Sequence, residues 1–247
     1  MLTLSIDIGN TVTAIGLIDT TAITCLQRRD IATGQAIDQA PAIIDELGAG
    51  VQHGLPVKIA SVVPEISNGL RSGLRHTRCE SFSFLVANDN LPVKITYETP
   101  PLFGSDRLAN MLYAHNVCPG RSSIVIDAGT AVTVDILKDG SECIGGCIFP
   151  GPALQFAALK SHTAQLPHVK TPPAPVYPGA STQECIYTGV IQGVTGAIER
   201  IAKLSRKAAG EDAVILATGG VWPQLAVAFE YEYIRDLTLI GTALYRV

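Results

Sequence analysis

The chain has 247 residues, 47% of them apolar and 16% charged, enough to bury a sizeable core in one large domain or two small ones. Eighteen Lys and Arg against 22 Asp and Glu leave a net charge of −4 with no long basic run. That excludes a sequence-independent nucleic-acid binder, which needs a concentrated positive face, but allows a small anionic substrate held by one or two placed cations.

The opening MLTLSIDIGN carries no basic segment before Asp7, so no secretory leader is expected. No stretch approaches the ~18 apolar residues of a membrane helix. Cys25, Cys79, Cys118, Cys143, Cys147 and Cys185 are scattered without a C-x-x-C pair, and read better as free thiols than as zinc ligands. A soluble protein of the reduced cytoplasm is the expectation.

From Leu2 to Ile8 apolar residues alternate with Thr3, Ser5 and Asp7, the period of a strand. Gly9-Asn10 marks a turn and Val12 to Ile18 a second strand, giving a hairpin. A third strand is predicted over Ala22 to Leu26, a helix over Asp38 to Leu47, a strand over Val57 to Val62, a helix over Pro64 to Arg75 and a strand over Phe82 to Val86. Arg71, Arg75, His76 and Arg78 read as a solvated helix face. Leu108, Met111, Leu112 and His115 follow at helical spacing, so a helix starts at Ser105 or Asp106.

Near residue 120 the pattern restarts. Strands are predicted over Ser122–Asp127, Val132–Leu137 and Glu142–Phe149, helices at about 152–162 and 182–208, a strand over Ala213–Ala217, a helix over Pro223–Phe229 and a last helix from Leu237. Five prolines between 167 and 178 make that segment a stiff loop. In the long helix Gly189, Gly193 and Gly196 cost stability relative to Ala, which points to close packing at a domain or dimer interface, with direct contact to nucleotide as the weaker alternative. Trp222 reads as core or rim, with adenine as the rival neighbour.

An internal match stands out. Asp7-Ile-Gly-Asn-Thr-Val-Thr aligns with Asp127-Ala-Gly-Thr-Ala-Val-Thr, 120 residues later, each at the turn of a predicted hairpin. Glycine at a tight turn lets backbone N–H groups approach phosphate oxygens, Thr adds a hydroxyl, and Asp suits Mg²⁺ held through water. One such turn is commonplace, whereas two in register favour phosphate handling. At 105–107 two readings stay open. Asp106 either caps the helix beside a solvated Arg107, or takes a substrate hydroxyl proton while Arg107 and the helix N-terminus attract an anion.

Beyond the turns, the chain carries SVVP at 61–64, Tyr97 and Pro100 before GSDR at 104–107, IDAGTAVTVD at 126–135, GGCIFPG at 145–151, TAQLP at 163–167, GAST at 179–182, TGG at 218–220 and DLTLIG at 236–241. In that order they resemble the type III pantothenate kinases of the acetate kinase/sugar kinase/Hsp70/actin superfamily. The resemblance implies an α/β fold of two similar actin/ribonuclease H-like halves, each a mixed β-sheet with flanking helices and a cleft between them. Residues 1–118 would form the N-terminal half and 119–247 the C-terminal half. It implies ATP-dependent phosphorylation of pantothenate, the first step of coenzyme A synthesis, by a cytoplasmic homodimer needing neither nucleic acid nor membrane.

By the same resemblance Asp7, Ile8, Gly9, Asn10, Thr11, Val12, Thr13, Ala14 and Thr130 hold ATP, and Asp7 faces Mg²⁺. Asp106 is the general base. Tyr97, Gly104, Ser105, Asp106, Arg107, Thr163 and Thr182 hold pantothenate, and Asp127 binds a monovalent cation, K⁺ or NH₄⁺. Phe103 stands where the family usually has Leu, and the proline-rich loop leaves the placement of Thr182 against a partner subunit open. The alternative is a non-catalytic nucleotide-binding regulator of the same fold, with a kinase of another small hydroxy acid behind it. Intact Asp7, Asp106, Arg107, Asp127 and Thr130 favour the enzyme.

Overall fold

The structure is a computed structural model that describes residues 1–51, 54–77, 79–167, 169 and 175–246. Arg78, Pro172 and Pro173 therefore lie outside the described residues. Strands β1 (Leu2–Ile8) and β2 (Val12–Asp19) form the expected hairpin, with Asp7 opposite Ala14. β3 (Thr24–Ala32) adds antiparallel to β2. Helix α1 (Ala36–Gly48) leads to β4 (Pro56–Ser61), which lies parallel to β1, and α2 (Pro64–Leu74) leads to β5 (Ser81–Phe84), parallel to β4. The resulting sheet has the order β3-β2-β1-β4-β5. Ile6, Ile8, Ile15, Val57 and Ile59 from its strands meet Ile44, Leu47, Leu70 and Leu74 of α1 and α2 in one buried cluster. At ~25 cal/mol per Å² of apolar surface removed from water, that cluster is the main stabilising term for this sheet.

After the short strand β6 (Lys94–Ile95) and helix α3 (Ser105–Val117), the plan repeats. β7 (Ser123–Ala128), β8 (Ala131–Lys138) and β9 (Glu142–Pro150) come first, then α4 (Pro152–Ser161) and α5 (Thr182–Ala209). β10 (Val214–Thr218), parallel to β7, and the short β11 (Glu232–Tyr233), parallel to β10, complete the sheet β6-β9-β8-β7-β10-β11. With β6 set aside, both sheets follow one scheme, a hairpin's first strand flanked by its partner and by a later parallel strand. The match between residues 7–13 and 127–133 is thus a match of folds.

By contacts the chain forms two compact units, residues 1–121, 137–145 and 236–247 in one, and 122–136 and 146–235 in the other. The last helix, α6 (Leu237–Ala243), belongs with the first unit for a visible reason. Ser5 Oγ donates to Leu239 O at 2.7 Å, Thr238 Oγ1 donates to buried Asn110 Oδ1 at 2.9 Å, and Gly241 lets α6 approach the Ala109 backbone of α3 too closely for any Cβ. α3 is thereby anchored along its back.

Two sequence expectations need correction. The third strand runs to Ala32, well past Leu26, because Gln27, Arg28, Arg29 and Asp30 lie on an edge strand where charges are tolerated and mask the apolar pattern. The helix expected over Pro223–Phe229 is a single 3₁₀ turn, Trp222–Gln224. Beyond it the chain is irregular, and Tyr231 packs edge-on against Trp222 at 4.9 Å with Phe229 against Tyr231 at 6.1 Å. Trp222 is 2% exposed, the core reading. Arg71 lays its guanidinium 4.1 Å over the Phe84 ring, while Arg75 and His76 are exposed, the solvated face expected.

Candidate active site

Asp106 and Arg107 sit in the first turn of α3, and Gly104, not Asp106, occupies the N-cap position. A Cβ at Gly104 would press on Asp106 Oδ1, so glycine leaves that carboxylate its place. Asp106 Oδ1 accepts the Arg107 N–H at 2.7 Å. Burial raises the Asp106 carboxyl above its ordinary pKa, opposed by that amide and by the Arg107 charge. Arg107 is not the solvated charge of the bland reading. It is 6% exposed, its guanidinium 4.3 Å over the Phe103 ring and 5.9 Å from that of Tyr97.

Tyr97, on the exposed side, packs edge-on against Phe103 at 5.6 Å, so Phe103 keeps the apolar packing role expected of it. Ser105 Oγ accepts from Ser61 N at 2.7 Å and donates to Ser61 O at 2.8 Å. Its hydroxyl is thus spent in fastening the start of α3 to the end of β4. The SVVP segment that resembles the family supplies this anchor, a link sequence reading leaves unseen.

In the first glycine turn Asp7, partly buried, stands one residue before the end of β1, and Gly9 N–H donates to Val12 O at 3.1 Å. Asn10, Thr11 and Val12 are exposed, whereas Thr13 is fully buried, its hydroxyl 3.2 Å from that of Thr33. In the second turn Asp127 stands one residue before the end of β7, opposite Thr218, and Gly129 N–H donates to Ala131 O at 3.0 Å. Gly151 N–H donates to Thr130 O and Val221 N–H to Ala128 O, each at 2.9 Å. Gly219, at φ +97°, lies where a Cβ would collide with the Ala128 backbone. The TGG segment thus braces the second turn from behind, a role that φ reveals and the letters do not.

Thr163 follows α4, exposed, its hydroxyl donating to Leu159 O at 2.7 Å. Thr182 opens α5, exposed, after a capping box in which Ser181 Oγ accepts from Glu184 N at 3.2 Å and Glu184 accepts from Ser181 N at 3.1 Å. In the first unit the fold brings Tyr97, Phe103 and Gly104–Arg107 together, while Thr163 and Thr182 belong to the second.

Comparison with known proteins identifies the family. Residues 3–204 match the family described as type III pantothenate kinase. A type III pantothenate kinase of Kosmotoga olearia is 33% identical over 248 residues, 97% of this chain and 93% of that one. One of Frankia alni is 33% identical over 252 residues, 98% and 97% of the two chains. This chain belongs to the type III pantothenate kinase family. Among solved structures, an inorganic polyphosphate/ATP-glucomannokinase of Arthrobacter sp. strain KM superposes with TM-score 0.54 at 16% identity, covering 98% of this chain and 97% of that one. A ROK family glucokinase of Streptomyces griseus gives 0.51 at 13% identity, covering 98% of both. At that identity they establish the fold, two mixed sheets of the actin-like sugar kinase type.

Family membership implies ATP as the phosphoryl donor. Among the described residues no three His, Cys, Asp or Glu cluster as a metal cage, and no helix is long and apolar enough to cross a membrane. Single carboxylates near the two strand ends, Asp7 and Asp127, fit cations whose remaining ligands are water and phosphate oxygens, the usual manner of Mg²⁺.

Proposed function

We propose that the chain transfers the γ-phosphoryl group of ATP to the primary hydroxyl of pantothenate, with Asp106 as the general base. The observation that carries this is a partly buried carboxylate in the first turn of α3, beside a buried arginine held over two aromatic rings. A carboxylate near its ordinary pKa of ~3.9 cannot deprotonate an alcohol in advance. Asp106 therefore orients the hydroxyl and accepts its proton late, as the oxygen–phosphorus bond forms and the bond to the leaving ADP oxygen breaks. Burial, by raising its pKa, makes Asp106 the better base. Arg107, Gly104, Ser105 and Tyr97 shape the pantothenate end, and Thr163 and Thr182 are assigned to the same substrate.

The backbone of Asp7–Ala14 and Thr130 are assigned to the ATP phosphates, Asp7 to Mg²⁺ and Asp127 to K⁺ or NH₄⁺. Bound there, the cations would offset phosphate charge. The chain is assigned to the cytoplasm and to a homodimer. The exposed face of α5 supports the dimer, since Gly189, Gly193 and Gly196 have open space where a Cβ would stand and leave room for a second backbone.

The test is phosphorylation of pantothenate by purified protein with Mg-ATP in K⁺, NH₄⁺ or Na⁺ alone, beside light scattering for the dimer. Cation-dependent 4′-phosphopantothenate supports the reaction and the role of Asp127. No product under any cation, from folded dimeric protein, overturns it.

A further inference from the structure

Thr33 follows β3 directly, is 5% exposed, and is not among the residues to which the resemblance assigns a role. Its hydroxyl donates to Gly9 O at 2.7 Å and its backbone N–H donates to Thr11 O at 3.1 Å. A hydroxyl has one proton, and here Gly9 takes it. The 3.2 Å contact with Thr13 Oγ1 is therefore one in which Thr13 donates and Thr33 accepts. One residue thus fixes two carbonyls of the first glycine turn.

In a planar trans peptide the N–H points opposite to the C=O. With the Gly9 carbonyl drawn to Thr33, the Asn10 N–H points away from it. With the Thr11 carbonyl drawn to Thr33, the Val12 N–H does the same. The two carbonyls thus face buried Thr33 and the two amides face away from it, at residues, Asn10 and Val12, that are themselves exposed. A turn free to rotate its Gly9 peptide would present a carbonyl oxygen to an incoming phosphate in place of an amide.

We propose that Thr33 is a positioning residue for the ATP phosphates, acting through the Gly9 and Thr11 carbonyls to keep the Asn10 and Val12 amides turned outward. The proposal rests on the reading of residues 7–14 as an ATP phosphate turn. Its specific content is a hydroxyl that ATP never touches yet on which ATP affinity depends.

Steady-state kinetics on the full-length enzyme test it with Thr33→Val, Thr33→Ala and Thr33→Ser, each checked for fold by circular dichroism and melting. Val and Ala lose the hydroxyl with different bulk, so a packing fault in one does not decide the matter. The expected result is a KM for ATP raised ~10-fold in both, with the KM for pantothenate within ~2-fold and Thr33→Ser close to wild type; tenfold corresponds to ~1.4 kcal/mol. An unchanged KM for ATP in folded Thr33→Ala, or equal loss for both substrates, overturns the proposal. So does a Thr33→Ser variant as impaired as Thr33→Val, since keeping the hydroxyl would then rescue nothing. Asp7→Asn separates the proposal from its premise. If Asp7→Asn abolishes ATP-dependent turnover while Thr33→Val and Thr33→Ala are silent, only the role of Thr33 falls. If Asp7→Asn is silent as well, the phosphate-turn reading falls and the proposal with it.

Discussion

The two glycine turns occupy the same place in two copies of one strand plan and are held from the same position by opposite means. In each half the residue just after the third strand, Thr33 or Gly151, donates its N–H to a carbonyl of the turn. In the first half that residue also carries a hydroxyl, which takes the Gly9 carbonyl. In the second it has no side chain, and a Cβ at Gly151 would run into the carbonyls of Gly129 and Thr130. Gly219 presses against Ala128 in the same way, with Val221 N–H on the Ala128 carbonyl, where the first half has Val62 N–H on the Ile8 carbonyl. One turn is held by a hydrogen bond that chemistry can remove, the other by backbone packing that tolerates no added atom. The first should fail in function before it fails in stability, and the second the reverse.

The largest expected effect lies outside both turns and separates chemistry from positioning. Asp106→Asn keeps the shape of α3 and removes the carboxylate proposed as the proton acceptor, so kcat should fall ~10³-fold, within the range for a general base. The KM for ATP should hold, because neither turn is touched. Single-turnover and steady-state assays check this, and near-normal turnover would remove Asp106 from the role of base.

Gly219→Ala is the sharpest way to break the second turn. Its φ of +97° is strained for any L side chain, and the new Cβ meets backbone that cannot step aside. A loss of ~3 kcal/mol is expected in urea unfolding, from left-handed strain plus overpacking. Gly151→Ala has no unfavourable φ but the same kind of collision, and ~2 kcal/mol is expected. Stability in either variant equal to wild type would mean that the second turn is not braced by packing, and the contrast with Thr33 would dissolve.

How much of this was legible in the sequence follows from how local each signal is. The hairpins, the paired Asp-x-Gly turns and the helix at Ser105 are read from neighbouring residues, and all are found. The bonds that orient the first turn join Thr33 to Gly9 across 24 residues, and a threonine after a strand looks like any helix lead-in. The brace at Gly219 was visible as letters in TGG, but its positive φ and its neighbour Ala128 come only with β10 paired to β7. The rival readings of Asp106 and Arg107 needed burial to part them, since a cap beside a solvated arginine and a desolvated carboxylate beside a buried one are spelled alike.

The smallest effect is on the pH dependence of stability, and it too divides the turns from α3. Thr33, Gly151, Gly219 and the amides that hold both turns carry no charge, whereas Asp106 is a carboxyl whose pKa burial raises above its unfolded value. A folded state that binds a proton more tightly than the unfolded one is favoured by that proton. The contribution is complete below the unfolded pKa of ~3.9 and is lost as pH rises through the higher folded value. An asparagine amide does not titrate in this range, so Asp106→Asn should gain stability relative to wild type as pH is raised from about 4 towards neutrality. Thr33→Ala should show a pH-independent offset. Chemical unfolding at a series of pH values reads both. A gain in Asp106→Asn that is the same at every pH would point to packing of the amide in place of relief from burying a charge, and would mean that the folded carboxyl is not raised above its unfolded pKa.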